Sequence, residues 1–272
     1  MKILIAADME GISGVTNWDQ VDPARSEYPR FCKIMTADVN AAALGTFDGG
    51  ATEVVVSDGH AGGYNILIED LDPRVCLNSG NSAPFAMVQG IEAGDFSGVI
   101  FVGYHARSGT EKAVLAHTWS SKRIANVWLN DILVGEHGLN AAVCGAFGAP
   151  VLMITGDQTT CAQAEELLGG LETVIVKHST SFSSAECLHP YVAQELIRKD
   201  AERAVSGLKD GKPKPFTVSE PVKTIIEFRL SEMVDRACRL PGAKRLDATR
   251  IEMTAPDMPT AYINFRAVVQ AA

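Results

Sequence analysis

Short apolar runs rich in β-branched residues recur along the chain, and each ends in polar or glycine-rich residues. Strands that are apolar on both faces are typical of a parallel sheet covered by helices. Alanine-rich stretches that close on glycine lie between several runs and predict helices. This alternation predicts an α/β fold with a doubly wound, mostly parallel sheet. The predicted strands are residues 2–7, 53–57, 98–103, 150–155 and 173–177, and the predicted helices are 36–47, 138–147 and 159–168.

The pattern changes after His178. Ser183 and Ser184 predict the cap of an amphipathic helix that runs to about residue 208, despite Pro190 near its start. Residues 209–215 mix charge, glycine and proline, which is typical of an exposed linker. We therefore expect a main α/β domain over residues 1–208 and a smaller C-terminal α+β lobe over residues 216–272. The lobe is predicted to contain strands at 222–228 and 248–254, a helix at 231–239 and a terminal helix from about residue 256.

Composition excludes several classes of protein. Hydrophobic residues make up 46% of the 272 residues and charged residues 21%, which is typical of a globular enzyme. The net charge of -9 argues against a nucleic-acid partner. No apolar stretch approaches the roughly 20 residues that span a bilayer, and the first run is shorter than the roughly 7–15 apolar residues of a secretory signal. The six cysteines include no CxxC pair, so we expect reduced thiols and a cytoplasmic protein.

Acidic and imidazole side chains come directly after three of the predicted strands. Asp8 and Glu10 follow the first strand, His60 follows the second, and His105 follows the third. The carboxyl ends of the strands in an open α/β sheet form the crevice where ligands bind, so we expect these side chains to converge. Two carboxylates in one crevice repel each other unless a cation neutralises them or one of them takes up a proton.

The histidines favour a metal cation in this crevice. His60 and His105 each come shortly after a glycine at a strand end, where the backbone has room to aim a ring. Imidazole together with carboxylate is a ligand set suited to zinc. Glu136, at the start of a predicted helix, supplies a third carboxylate. The predicted ligands of two divalent metal ions are Asp8, Glu10, His60, His105 and Glu136.

His117 lies on the segment after the third predicted strand and is not needed as a ligand. An unligated imidazole near metal ions can act as a general base, a general acid or a nucleophile. His117 is therefore the candidate catalytic residue, although its pattern fits a structural histidine equally well. Each candidate ligand, taken alone, also fits a helix cap, a solvated loop group or a hydrogen-bonded structural residue. The predicted site depends on all of them meeting at one sheet edge.

A series of motifs resembles one known family. The motifs are Asp8-Met9-Glu10-Gly11-Ile12-Ser13-Gly14, Ser57-Asp58-Gly59-His60, Gly103-Tyr104-His105-Ala106-Arg107, Val134-Gly135-Glu136 with Gly138-Leu139-Asn140, and Pro150-Val151-Leu152-Met153. In this order they resemble the zinc-dependent D-aminopeptidase family associated with bacterial dipeptide transport. The resemblance runs from residue 1 to about residue 190 and more loosely to the end of the chain.

This resemblance implies a binuclear zinc aminopeptidase that hydrolyses short peptides with a D-residue at the amino end, such as D-Ala-D-Ala. It implies two zinc ions per subunit, with Asp8 bridging them, and a role for His117 as nucleophile or base. It also implies a homodecamer of two stacked pentameric rings that encloses the active sites. The positions that match the family's zinc ligands are Asp8, Glu10, His60, His105 and Glu136.

Two other functions stay open. The same metal ions would suit an amidase or peptidase for ordinary L-peptides, which comparison of D-Ala-D-Ala with L-Ala-L-Ala would distinguish. The crevice would also suit a non-catalytic module that binds a small ligand or a structural ion. Such a module predicts no turnover of any peptide.

Overall fold

The main feature of the computed structural model, which describes residues 1–211 and 213–272, is a seven-stranded sheet. Its strands are β1 (Lys2–Ala7), β2 (Glu53–Asp58), β3 (Val75–Asn78), β4 (Phe96–Val102), β7 (Val151–Asp157), β8 (Glu172–Ser181) and β9 (Ser184–Cys187). The strand order is β3-β2-β1-β4-β7-β8-β9, and across the described residues neighbouring strands pair in parallel except β8 with β9. The predicted mostly parallel sheet is therefore confirmed.

Helices cover both faces of this sheet. Ile3 and Ile5 of β1 join a core that also contains apolar residues of helices α1 (Tyr28–Asp48) and α4 (Pro190–Ser206). Leu4 and Ala6 point the other way and join a core shared with α2 (Glu136–Ala146) and α6 (Met258–Ala271). Both faces of β1 are therefore buried, as its continuous apolar sequence requires. The helices are α1 (Tyr28–Asp48), α2 (Glu136–Ala146), α3 (Gln158–Leu168), α4 (Pro190–Ser206), α5 (Ser231–Ala237) and α6 (Met258–Ala271).

A second, antiparallel sheet combines the C-terminal segment with residues from the middle of the chain. Its order is β11-β12-β10-β5-β6. Strands β10 and β12 and helices α5 and α6 lie where the C-terminal lobe was expected, but β5 and β6 come from before residue 208. The division at residues 1–208 and 216–272 stays a prediction, and Lys212 of the predicted linker lies outside the described residues. The strands are β5 (Ile124–Leu129), β6 (Ile132–Val134), β10 (Val222–Phe228), β11 (Lys244–Arg245) and β12 (Arg250–Ala255).

The predicted start of the helix after His178 is wrong. Ser184 does not cap a helix but begins β9, which pairs antiparallel with β8. Helix α4 begins at Pro190, and the Tyr191 N–H donates to Nδ1 of His189 at 3.2 Å. The fixed φ of proline suits the first turn of a helix, so Pro190 marks the start of α4 and does not interrupt it.

The central strands bring four of the five predicted ligands, Asp8, Glu10, His60 and His105, to one edge of the main sheet, whereas Glu136 begins α2 after β6 of the second sheet. Ala7, at the end of β1, is in register with Asp58 of β2 and with Val102 of β4. The loops that follow these three strands therefore start side by side.

Among the described residues, no helix has both the length and the apolar character needed to cross a membrane.

Candidate metal centre

The loop after β1 carries two buried carboxylates into the crevice. Asp8 and Glu10 are 2% and 3% exposed. The Gly11 N–H donates to the carbonyl oxygen of Gly103 at 2.7 Å, which holds this loop against the end of β4. A β-carbon at Gly11 would lie 1.8 Å from the carbonyl oxygen of Tyr104, so only glycine fits there.

Lys177, in the middle of β8, fixes the same loop. Its fully buried ammonium group donates to the carbonyl oxygens of Glu10 at 2.6 Å, Ile12 at 3.0 Å and Val15 at 2.7 Å. Burial lowers the pKa of Lys177 to about 8. Lys177 was not among the predicted site residues, although a lysine that follows an apolar run is the kind of residue that signals a buried polar partner.

Three of the predicted ligands form one buried group. Nδ1 of His60 lies 3.3 Å from Oδ1 of Asp8 and 3.1 Å from Oε2 of Glu10. On the far side of the ring, Nε2 lies 2.8 Å from the carbonyl oxygen of Val21. A carbonyl oxygen only accepts hydrogen bonds, so Nε2 carries a proton and Nδ1 can present a lone pair to a metal.

A second buried group contains His105, His117 and Glu136. Nε2 of His105 lies 2.9 Å from Oε1 of Glu136, and Nε2 of His117 lies 3.7 Å from the same oxygen. Nδ1 of His105 donates to the carbonyl oxygen of Ala106 at 3.1 Å, and Nδ1 of His117 donates to that of Leu115 at 2.8 Å. Both rings therefore aim Nε2 at the carboxylates.

Asp8 connects the two groups. Its Oδ1 faces His60, and its Oδ2 lies 3.4 Å from Nε2 of His105. Within each group, the three candidate ligand atoms lie within 4.8 Å of one another. The structure thus brings together all five predicted ligands and His117.

The chemistry of these groups fits metal cations. Oδ2 of Asp8 and Oε2 of Glu10 are buried and have no hydrogen-bond partner among the described residues. Leaving a buried polar atom unpaired costs about 1–3 kcal/mol, and more for a charged one. A divalent cation would serve both oxygens and neutralise the repulsion between the carboxylates.

The carboxylates and two of the histidines titrate abnormally. Burial and the nearby Glu10 charge raise the pKa of Asp8 to about 7. Burial acts on Glu10 in the same direction, but attraction to His60 outweighs it and holds the pKa of Glu10 well below its usual range. Burial disfavours the charged form of His60 and His105. The adjacent carboxylates outweigh that effect, raising the pKa of His105 to about 10 and that of His60 well above its usual value.

His117 differs from the other two histidines. Burial and the charge of His105 lower its pKa below the usual value, so the ring is neutral near pH 7. A neutral imidazole with Nδ1 already donating can accept a proton at Nε2.

A cavity of about 230 Å³ opens onto these groups. The metal-binding candidates in its lining are Asp8, Glu10, His60 and Glu136, with His117 beside them. Part of the remaining lining comes from residues that the sequence reasoning did not select, including two on α6. These additional residues include Asn81, Met87, Trp119, Arg266 and Gln270.

Comparison with known proteins gives matches over almost the whole chain. The sequence model of peptidase family M55, described as D-aminopeptidase, matches residues 1–267. A D-aminopeptidase of Bacillus subtilis (strain 168) is 37% identical over 263 residues, which cover 96% of this chain and 94% of that protein. A solved structure, the Zn-dependent D-aminopeptidase DppA from Bacillus subtilis, a self-compartmentalizing protease, matches with a TM-score of 0.94 at 35% identity. That match covers 100% of this chain and 97% of the other.

These matches include both sheets and every loop of the candidate metal centre. The resemblance carried by the motifs is confirmed, and with it the α/β fold and the enzyme class that it implied. The chain belongs to the D-aminopeptidase family of metal-dependent peptidases.

Proposed function

We propose that this protein is a binuclear zinc aminopeptidase that removes D-amino acids from the amino end of short peptides such as D-Ala-D-Ala. The observation that carries the proposal is the pair of buried ligand groups joined by Asp8. The similar solved structure is a Zn-dependent D-aminopeptidase, which supports zinc as the metal.

In this proposal Asp8, Glu10 and His60 would hold one ion, and Asp8, His105 and Glu136 would hold the other. The ligands would carry three negative charges against four positive charges from two zinc ions, so the loaded centre would present a net positive charge to the substrate. Bound zinc would polarise the scissile carbonyl and acidify the attacking water.

His117 moves protons in this reaction. The hydrogen bond from its Nδ1 to the carbonyl oxygen of Leu115 fixes the ring. Its Nε2 lies 3.9 Å from Oε1 of Glu10 and 3.7 Å from Oε1 of Glu136. Because its pKa is lowered, the ring is free to accept a proton near neutral pH. Its position beside His105 and Glu136 would also allow metal ligation, and metal content of a His117 variant separates the two roles.

The proposed substrates are small. The cavity volume of about 230 Å³ is below the roughly 300–1,000 Å³ of pockets for drug-sized ligands. That volume favours a dipeptide or a similarly short peptide.

We also propose a homodecamer of two stacked pentameric rings in the cytoplasm. The self-compartmentalizing nature of the similar protease supports the assembly. On α4, Tyr191, Val192 and Leu196 are 65%, 47% and 39% exposed, which suits a contact between subunits. All six cysteines are free, which fits a reducing compartment. Light scattering should give a mass of ten 29.0 kDa chains.

The function is tested by metal analysis of the purified protein coupled to a peptide screen. We expect two zinc ions per chain, hydrolysis of D-Ala-D-Ala, loss of turnover with a chelator and recovery with added zinc. Faster hydrolysis of L-Ala-L-Ala would instead identify an L-peptidase. Absence of turnover with every peptide would identify a non-catalytic binding module.

A further inference from the structure

Arg266 places a guanidinium group in the lining of the cavity. It is the one arginine or lysine among the described residues that line the cavity, and Asp8, Glu10 and Glu136 line it too. Arg266 lies on α6, which the chain reaches only after the second sheet. The cavity therefore combines candidate metal ligands from the loops after β1 and β2 and from the start of α2 with a cation from the last helix.

The guanidinium of Arg266 is held by backbone carbonyls. Nη1 donates to the carbonyl oxygens of Ala83 and Pro84, the latter at 2.8 Å, and Nη2 donates to that of Asn81 at 2.6 Å. These contacts fix the group against residues 81–84. A guanidinium has five N–H donors, so two remain for another partner.

The charge of Arg266 is not neutralised by these contacts. The partners of its guanidinium among the described residues are all neutral carbonyl oxygens. A half-buried, preoriented guanidinium with free donors is well suited to bind a carboxylate, often through two parallel hydrogen bonds. Gln270 lies one helical turn further along α6 and also lines the cavity, so its amide can donate to the same carboxylate.

We propose that Arg266, together with Gln270, binds the free carboxyl group of the peptide whose amino end lies at the metal centre. This inference rests on the proposed aminopeptidase function. It defines the substrate class as short peptides with two free termini. Arg266 then determines substrate specificity and also links α6 to residues 81–84 through its hydrogen bonds.

A matched pair of substrates separates recognition of the carboxylate from a purely structural role. The pair is D-Ala-D-Ala and its C-terminal amide, which differ only in the group that Arg266 would bind. For Arg266→Met we expect kcat/KM for the free acid to fall about 10- to 100-fold, mainly through KM, because a charge-assisted hydrogen bond is lost. The amide, which makes no such contact, should change much less, and zinc content should be unchanged.

Two further variants complete the test. Gln270→Glu leaves the bonds of Arg266 to residues 81–84 in place but adds a negative charge near the substrate carboxylate. It should therefore lower turnover of the free acid and spare the amide, even if Arg266→Met folds poorly. Arg236→Met is the control, because Arg236 also donates to a main-chain oxygen next to α6, that of Ala272 at 3.2 Å, but lies outside the cavity lining.

The outcomes are distinguishable. Equal losses on both substrates, or no loss on either, would overturn the carboxylate role of Arg266 and leave the aminopeptidase function intact. Wild-type protein that hydrolyses neither substrate in the presence of zinc would overturn the aminopeptidase function, and the carboxylate role with it. Selective loss on the free acid in both Arg266→Met and Gln270→Glu supports the inference.

Discussion

His105 and His117 stack face to face, with ring centroids 3.9 Å apart and planes inclined by 11°. Their pKa values nevertheless move in opposite directions. The pKa of His105 rises to about 10 because the charges of Glu136 and Asp8 outweigh burial, whereas burial and the charge of His105 lower the pKa of His117. These opposite shifts fit the proposed roles, with His105 as a metal ligand and His117 as the neutral ring that accepts a proton.

His117→Ala should retain both zinc ions and lose most turnover. Removing a catalytic base or donor typically costs ~3 kcal/mol or more, about a hundredfold in rate. The measurements are kcat on D-Ala-D-Ala and zinc content by mass spectrometry. Full activity would remove His117 from the mechanism, and loss of one zinc ion would make it a ligand.

Asp8→Ala should lose metal, because Asp8 faces both ligand groups, with Oδ1 towards His60 and Oδ2 towards His105. We expect less than one zinc ion per chain after dialysis, with no turnover. Asp19→Ala is the matched control, since Asp19 is exposed and forms an ion pair with Arg25 at the surface. If Asp8→Ala keeps two zinc ions, Asp8 does not bridge the site.

Lys177→Met should destabilise the loop that carries Glu10. Three carbonyl oxygens would lose a buried charged donor, at a cost of ~3 kcal/mol or more in the free energy of unfolding. Urea unfolding measures this cost, and titration with zinc should show weaker binding. Lys223→Met serves as the control because the Lys223 ammonium lies at the surface beside Asp131. Equal midpoints for the two variants would contradict the role of Lys177.

The metal-free protein should lose stability as the pH rises from ~6.5 to 8. His60 and His105 have folded-state pKa values above that of an unfolded histidine, which is ~6.5, so they stabilise the fold fully below that pH. Their contribution is lost as the pH rises towards the folded value, which for His105 is about 10. Lys177, with a pKa lowered to about 8, acts in the opposite direction only from about that pH upwards.

The measurement is the Tm of chelator-treated protein across this pH range. We expect it to fall as the pH rises, whereas zinc-loaded protein should show a weaker or opposite trend, since zinc needs deprotonated rings. A Tm of the metal-free protein that rises from pH ~6.5 to 8 would show that the two histidines are not charged there.

The sequence was sufficient to predict the strands that are buried on both faces. The apolar runs at β1, β2, β4, β7 and β8 mark a parallel sheet, and the ends of β1, β2 and β4 then place Asp8, His60 and His105 together. Strand β9 was missed because its Ser184-Ala185-Glu186-Cys187 sequence is polar and mostly exposed at the sheet edge. An edge strand of this kind lacks the periodic apolar signal that identifies a buried one.

The cavity-lining residues Arg266 and Gln270 could not be predicted from the sequence, for a different reason. Arg266 and Gln270 reach the site because α6 packs with the second sheet, and that sheet joins residues 124–134 to residues 222–255. Such long-range packing leaves no local pattern in the chain. Lys177 was missed similarly, because its carbonyl partners lie more than 160 positions earlier in the sequence.

The most direct test of the proposed centre is an anomalous diffraction map of zinc-loaded crystals, recorded at the zinc absorption edge. We expect two zinc peaks per chain, one beside Glu10 and His60 and one beside His105 and Glu136, with Asp8 in contact with both at roughly 2.0–2.2 Å. A single peak, or peaks away from Asp8, would contradict a binuclear site bridged by Asp8.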